Sequence, residues 1–453
     1  MEKQRADILR AQILGLVEKY AEATQSSRQF ERGVSPIPAS GKMIGAEELH
    51  FLVDSALDGW LTSGRYNDEF QKKLSVFLGV PHVLTANSGS SANLLAVSAL
   101  ASAKLRERQI KPGDEMITVA ASFPTTVNPG IQYGLVPVFV DVEIPTYNID
   151  VSRLEEAVSD RTRLIMIAHT LGNPFNLNEV MRVAKKYNLW VIEDCCDALG
   201  SRYDGRLVGT FGDIGTLSFY PAHHITMGEG GAVFTADDLI RKVMLSIRDW
   251  GRDCHCDPGN DNTCGCRFGW KLGELPFGYD HKYTYSHLGY NLKITDMQAA
   301  VGLAQIERLE RFIAQRKRNF LFLQQALRPL EEFFILPEAT QNSEPSWFGF
   351  PLTLRAGDAE VRHKLQQHLA QRKIGTRLLF AGNITRQPYF SGRDYRTIGA
   401  LENTDIIMDR TFWVGLYPAL GNEHLAYTAE CLQEFWRQPS CHSSPREGQL
   451  FTA

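Results

Sequence analysis

Between residues 116 and 193, short apolar runs alternate with stretches of helical character, and that alternation leaves few folds open to the chain. The runs are Met116–Val119, Val136–Val142, Leu164–Ala168 and Leu189–Glu193; helical patterns include Ser91–Lys104 and Asn178–Tyr187. Strands that are unbroken apolar runs are buried on both faces, and alternation with helices buries them in that way. The expected fold class is therefore α/β, with a doubly wound, mainly parallel sheet.

A second pattern begins at Asp296, where Ala299, Leu303, Ile306, Leu309 and Phe312 keep helical spacing. It predicts a long helix leading from a large α/β domain (residues 49–305) into a smaller α+β domain (306–436). With 453 residues the chain is long enough for more than one core. Residues 1–48 read as an arm. One helical face there carries Leu9, Ile13, Leu16, Val17 and Tyr20, which predicts amphipathic packing, and a Pro/Gly-punctuated stretch follows at 33–38. Residues 252–285 hold four cysteines, five glycines and two prolines without a clean period. They are expected to be an insertion ordered by whatever the cysteines hold. Residues 437–453 have the composition of a flexible tail.

Charge excludes some functions. Forty-eight basic against 52 acidic residues leave a net charge of −4, with no basic excess for nucleic acid or an anionic membrane surface. The first seven residues are too charged to open a signal peptide, and no apolar run is long enough to span a membrane. The expected location is the cytoplasm. In that reducing compartment cysteine usage stands out: six of eight cysteines fall between Cys195 and Cys266, about a sixth of the chain. Such clustering suggests metal binding more than disulfides.

Three segments suggest a cofactor site. Asn87–Asn93, rich in Ser and Gly, opens a helix, where backbone N–H groups and the helix dipole favour a phosphate. Alone the signal is weak, since serine caps without a ligand are several times commoner. Leu189–Asp194 is an apolar strand ending in acids. Ligands of open α/β sheets bind beyond such ends, and an Asp there could keep a pyridine nitrogen protonated; capping the next turn is an equal reading. The third is Ser218–Gly231, Ser-Phe-Tyr-Pro-Ala-His-His-Ile-Thr-Met-Gly-Glu-Gly-Gly.

Together with Gly289–Ala300, these segments resemble the DegT/DnrJ/EryC1/StrS sugar aminotransferases, whose pattern is Ser-Phe, three residues, Lys, then Gly-Glu-Gly-Gly. The resemblance spans most of the chain. It implies the pyridoxal-phosphate-dependent, aspartate-aminotransferase-like fold and a homodimer whose sites are completed across the subunit interface. The informative departure is His223, which stands where the family has its Schiff-base lysine. No lysine occurs between Tyr187 and Arg241. Without that amine the coenzyme can be held only non-covalently, best as pyridoxamine 5′-phosphate, and an imidazole can still move protons near neutral pH. A lone histidine is more often structural; at this motif position the odds reverse. His224 is read as structural or secondary.

Histidine here is similar to the family's sugar 3-dehydrases. That likeness implies that Gly89, Ser90 and Ser218 bind the phosphate, with Asn291 contributed by a second subunit. It implies too that Asp194 meets the ring nitrogen and that Phe123 stacks on the ring. Asp197 stands where many relatives have Gln, and its role is open.

The cysteines run Cys196, 57 residues, Cys254, one residue, Cys256, seven residues, Cys264. On spacing alone, a local zinc set of Cys254, Cys256, Cys264 and Cys266 is slightly favoured. The family pattern shifts the balance. It resembles the iron–sulfur branch of the 3-dehydrases, which implies a 2Fe–2S cluster on Cys196, Cys254, Cys256 and Cys264. Cys195, Cys266, Cys431 and Cys441 are then read as thiols without a ligand role. The implied reaction is C3 deoxygenation of a CDP-linked 4-keto-6-deoxyhexose for 3,6-dideoxyhexose synthesis. His223 would be the base. Electrons would arrive one at a time from an NAD(P)H-dependent iron–sulfur flavoprotein reductase or a flavodoxin- or ferredoxin-type donor. Two rivals remain: a dehydratase that regenerates its amine from glutamate and leaves the cysteines idle, and a non-catalytic cofactor-binding protein.

Overall fold

The computed structural model describes residues 2–24, 29–256, 259–263 and 265–437. Cys264 and Cys441, and residues 438–453 of the expected tail, lie outside them.

The first five strands are β1 (His82–Ala86), β2 (Glu115–Val119), β3 (Val136–Val140), β4 (Thr162–Ala168) and β5 (Trp190–Asp194). A short hairpin follows, β6 (Arg202–Tyr203) and β7 (Arg206–Leu207), and then β8 (Ile214–Ser218) and β9 (Gly231–Thr235). The remaining strands are β10 (Phe334–Ile335), β11 (Ser343–Glu344), β12 (Gly349–Leu354), β13 (Thr376–Leu378), β14 (Arg396–Thr397) and β15 (Thr411–Gly415). The large sheet has the order β1-β9-β8-β5-β4-β2-β3-β14, and β9 runs against both its neighbours in an otherwise parallel array. The α/β expectation is met. Every residue of β2, β5, β8 and β9 is buried, as strands covered on both faces require. Each large aliphatic side chain so buried contributes roughly 1.5–3 kcal/mol.

The helices up to the crossover region are α1 (Glu2–Thr24), α2 (Ala46–Leu57), α3 (Arg65–Leu78), α4 (Gly89–Leu100), α5 (Pro124–Gln132), α6 (Leu177–Tyr187) and α7 (Asp238–Arg248). The connection to the smaller sheet is α8 (Asp296–Ile306) and α9 (Leu309–Leu327), two helices instead of the one long helix expected. The apolar period survives the break because Ala299, Leu303, Leu309 and Phe312 are all buried, so periodicity could not reveal it. The smaller sheet, β10-β12-β15-β13, is antiparallel.

One further expectation needs correction. The apolar face of α1 is not packed: Leu9, Ile13, Leu16 and Tyr20 are exposed, and the helix is instead fixed by Arg10, which donates to Asp54 and Asp58. The described residues of the cysteine-rich insertion carry ion pairs and hydrogen bonds of their own. Arg267 bridges Asp261 and Asp280, and Asp253 accepts from Lys104, His281 and Ser286.

Candidate active site

Parallel register brings the functional ends together. Ala168 of β4 and Thr216 of β8 flank Asp194 of β5, so the carboxyl ends of three strands open at one edge. A cavity of about 420 Å3 lies there, lined by Gly89, Ser90, Phe123, Asp194, Ser218 and His223 among others. Six of the seven residues expected from the sequence to catalyse or to hold the coenzyme thus share one cavity. The seventh, Asn291, is exposed and does not line it.

At the start of α4, the Ser88 hydroxyl accepts from Ser91 N–H at 3.0 Å. The N–H groups of Gly89 and Ser90, at the first helical positions, have no partner one turn back. Gly89 is required here by contact. A Cβ would stand 2.5 Å from Ser218 Cβ and 3.0 Å from Cys196 Sγ. Small residues therefore press the helix N-terminus onto the end of β8 and form a cradle suited to a phosphate. Phe123 precedes α5 and is half exposed, with its edge toward Phe380.

Asp194 is buried and accepts three hydrogen bonds: from Asn93 Nδ2 at 2.8 Å, Thr126 Oγ1 at 2.8 Å and Cys196 N–H at 3.1 Å. All three partners donate, and a carboxylate has about four acceptor positions, so one remains for the cavity. Opposite is His223. Its Nδ1 lies 3.3 Å from Asp197 Oδ1, near but without a hydrogen bond, and its ring leans on Phe348 at 5.2 Å. Asp197, whose role the sequence left open, is thus the carboxylate beside the candidate base. Among the described residues that line the cavity there is no lysine.

Sequence reasoning missed the far wall. Ser40, Phe348, Arg377, Leu378 and Trp413 line it. Most come from the smaller sheet or its approach and carry no motif. It also missed Arg316, a fully buried guanidinium that donates to the carbonyls of Trp347, Phe348 and His223. Burial pushes its pKa down to about 10.

His224 faces inward and donates through Nε2 to Ser346 O at 2.7 Å. Burial first, then the charge of Arg316, hold its imidazole well below the ordinary value of 6.5. A histidine depressed in the folded state takes up its proton on unfolding. Its contribution is therefore complete above about pH 6.5 and is lost as pH falls. His224→Gln, which keeps a donor, is expected to flatten the fall in Tm between about pH 7 and about pH 5. An unchanged pH slope in thermal melts would refute that role.

Of the four cysteines expected as ligands, Cys264 lies outside the described residues. Cys196 lines the cavity, whereas Cys254 and Cys256 line a separate recess with Asn262, Arg267, His281 and Lys282.

A pyridine-coenzyme cradle on this sheet defines an enzyme of the aminotransferase fold class, and the chain belongs to the DegT/DnrJ/EryC1/StrS aminotransferase family, whose model matches residues 42–433. Among its relatives, the lipopolysaccharide biosynthesis protein RfbH of Salmonella typhimurium is 65% identical over 95% of this chain and 99% of that protein. The dTDP-4-dehydro-2,6-dideoxy-D-glucose 3-dehydratase of Saccharopolyspora spinosa is 51% identical over 93% and 91%. Two crystal structures of a GDP-4-keto-6-deoxymannose 3-dehydratase are also similar. One is the E. coli enzyme with hydrated PLP, with TM-score 0.79, 29% identity and 87% of this chain and 99% of that one covered. The other, with a trapped PLP–glutamate geminal diamine, has TM-score 0.79 and 29% identity over 87% of this chain and 100% of that one. Among the described residues no helix is long and apolar enough to cross a membrane.

Proposed function

We propose that the chain removes the C3 hydroxyl of a nucleotide-linked 4-keto-6-deoxyhexose, using pyridoxamine 5′-phosphate held without a covalent bond. One observation carries the reading: an imidazole, His223, shares with Asp194, Gly89, Ser90 and Ser218 a cavity that no described lysine lines. The names of the relatives support the substrate class, since two of those compared are nucleotide-sugar 3-dehydratases.

When bound, the coenzyme supplies an amine for the sugar ketone and a ring that delocalises negative charge. The N–H groups at the start of α4, with Ser90 and Ser218, would hold the phosphate. Asp194, fixed by three donors, would meet the ring nitrogen. Phe123 would cover one ring face. His223, beside Asp197, would serve as the general acid–base group, holding a proton and giving it to the departing hydroxyl. Arg377, an exposed cation at the rim, is placed to meet the substrate's phosphates.

The finer reading is a CDP sugar on a 3,6-dideoxyhexose route, an iron–sulfur cluster and a reductase partner, in the cytoplasm. It rests on the family resemblance of His223 and of the run Cys196, Cys254, Cys256 and Cys264, since spacing alone slightly favours zinc. Because the described three do not meet in one subunit, no step is routed through a cluster. The glutamate-regenerated rival is favoured by that separation and by the glutamate adduct of the similar crystal structure.

One experiment separates them. The purified protein with pyridoxamine phosphate is given CDP-, dTDP- and GDP-linked 4-keto-6-deoxyhexoses. Dehydration of at least one, with the CDP sugar preferred, is expected. Turnover sustained by a reductase and NAD(P)H supports the redox reading, and turnover sustained by glutamate alone supports the rival. Steady conversion to amino sugars would overturn both.

A further inference from the structure

We infer that Arg316 is the positioning residue for His223: one buried guanidinium holds the backbone of the base and the backbone of the cavity's far wall at a fixed separation. The inference rests on the dehydration reading above.

The imidazole has to be aimed from outside its own ring. His223 Nδ1 has no hydrogen-bond partner, although Asp197 Oδ1 lies 3.3 Å away, and Asp197 Oδ2 is buried without a partner too. What fixes the ring is therefore its backbone and the Phe348 ring, 5.2 Å from it. Both are tied to Arg316. Nη2 donates to His223 O at 3.3 Å, and Nη1 donates to Phe348 O at 3.0 Å and to Trp347 O at 3.3 Å. Among the described residues no backbone N–H reaches the His223 carbonyl.

The segment that carries Phe348 is held by side chains from the same two places. Ser346, Trp347 and Phe348 lead into β12. The Ser346 carbonyl accepts from His224, next to the base, and the next two carbonyls accept from Arg316. The Trp347 ring stacks at 4.1 Å on Phe320, one turn beyond Arg316 on α9. Phe348 in turn meets Trp413 edge-on at 5.4 Å, and both line the cavity. Helix α9 reaches the base and the far wall through one flat group. A planar fork of donors fixes such a spacing better than a flexible ammonium does.

Burial sets this arginine apart. It is 1% exposed and makes no ion pair among the described residues; the negative charge that acts on it is that of Asp197. A cation buried without an ion pair opposes folding, and an apolar side chain of like volume would fill the same place. What the charge supplies instead is three charge-assisted hydrogen bonds, on the backbones that carry the base and the ring beside it.

The test is single-turnover dehydration of the 4-keto sugar with pyridoxamine phosphate, for Arg316→Met in the wild-type and in the His223→Asn backgrounds. Arg316→Gln is a second neutral variant should methionine fail to fold. Melting curves give the folded fraction, and each rate is taken per folded site. In the wild-type background the maximal rate is expected to fall about 10²-fold, the cost of misplacing a reacting group by about 1 Å. The sugar concentration at half-maximal rate should stay within a few-fold. In the His223→Asn background no further loss is expected, because a residue that acts through the imidazole has nothing left to aim. A wild-type maximal rate in the folded neutral variant gives Arg316 a role in stability alone and overturns the positioning. An equal fold-loss in both backgrounds overturns it too, since the effect would then bypass His223. Wild-type protein that dehydrates no 4-keto sugar, or His223→Asn with an unchanged rate, overturns the dehydration reading itself, and the positioning with it.

Discussion

Replacing His223 with asparagine is expected to slow loss of the sugar hydroxyl by about 10²–10⁴-fold, the usual worth of a positioned general acid–base group. Affinity for pyridoxamine phosphate should stay within a few-fold. The two effects separate because His223 touches the bound parts of the site differently. Its side chain faces the cavity beside Asp197, whereas its backbone carbonyl accepts from Arg316 and fixes the loop. Asparagine keeps that carbonyl and much of the volume against Phe348, but it cannot take up a proton. Single-turnover absorbance with the 4-keto sugar gives the rate, and equilibrium dialysis gives the coenzyme affinity. An unchanged rate would remove His223 from the chemistry.

Asp194→Asn is expected to be comparably severe and to weaken coenzyme binding as well. Asn93, Thr126 and the Cys196 N–H all donate to this carboxylate. An amide in its place sets one donor against another and removes the negative charge proposed to meet the ring nitrogen. Breaking a buried charged pair costs about 3–5 kcal/mol, which corresponds to roughly 10²–10⁴ in rate at 1.36 kcal/mol per tenfold. Turnover at saturating coenzyme, alongside a melting curve to show the fold retained, checks it. Loss of less than about tenfold would mean the carboxylate serves the fold alone.

How much of this was legible follows from where each residue sits. The four apolar runs became β2 to β5 because strands buried on both faces leave a continuous hydrophobic signature. The near side of the cavity was legible for a related reason. Gly89, Asp194 and Ser218 each end or follow a strand, where the chemistry of the turn is local and the spacing is short. The far wall was not, because Phe348, Arg377 and Trp413 meet the cavity through closure of a second sheet, and long-range closure has no period. Asp197 and Arg316 were illegible in role for the same reason: they act on His223 from 26 and 93 residues away. The exposed face of α1 shows the converse limit. An amphipathic pattern reveals that a face is apolar, but not what covers it.

The central claim is that this scaffold holds its coenzyme without a covalent link, and borohydride reduction followed by intact-mass measurement tests it most directly. Protein saturated with pyridoxal phosphate, the aldehyde form, and then reduced is predicted to keep its unmodified mass after denaturation, with the coenzyme released quantitatively. A stoichiometric pyridoxyl adduct mapped to a lysine in the cavity would contradict the account.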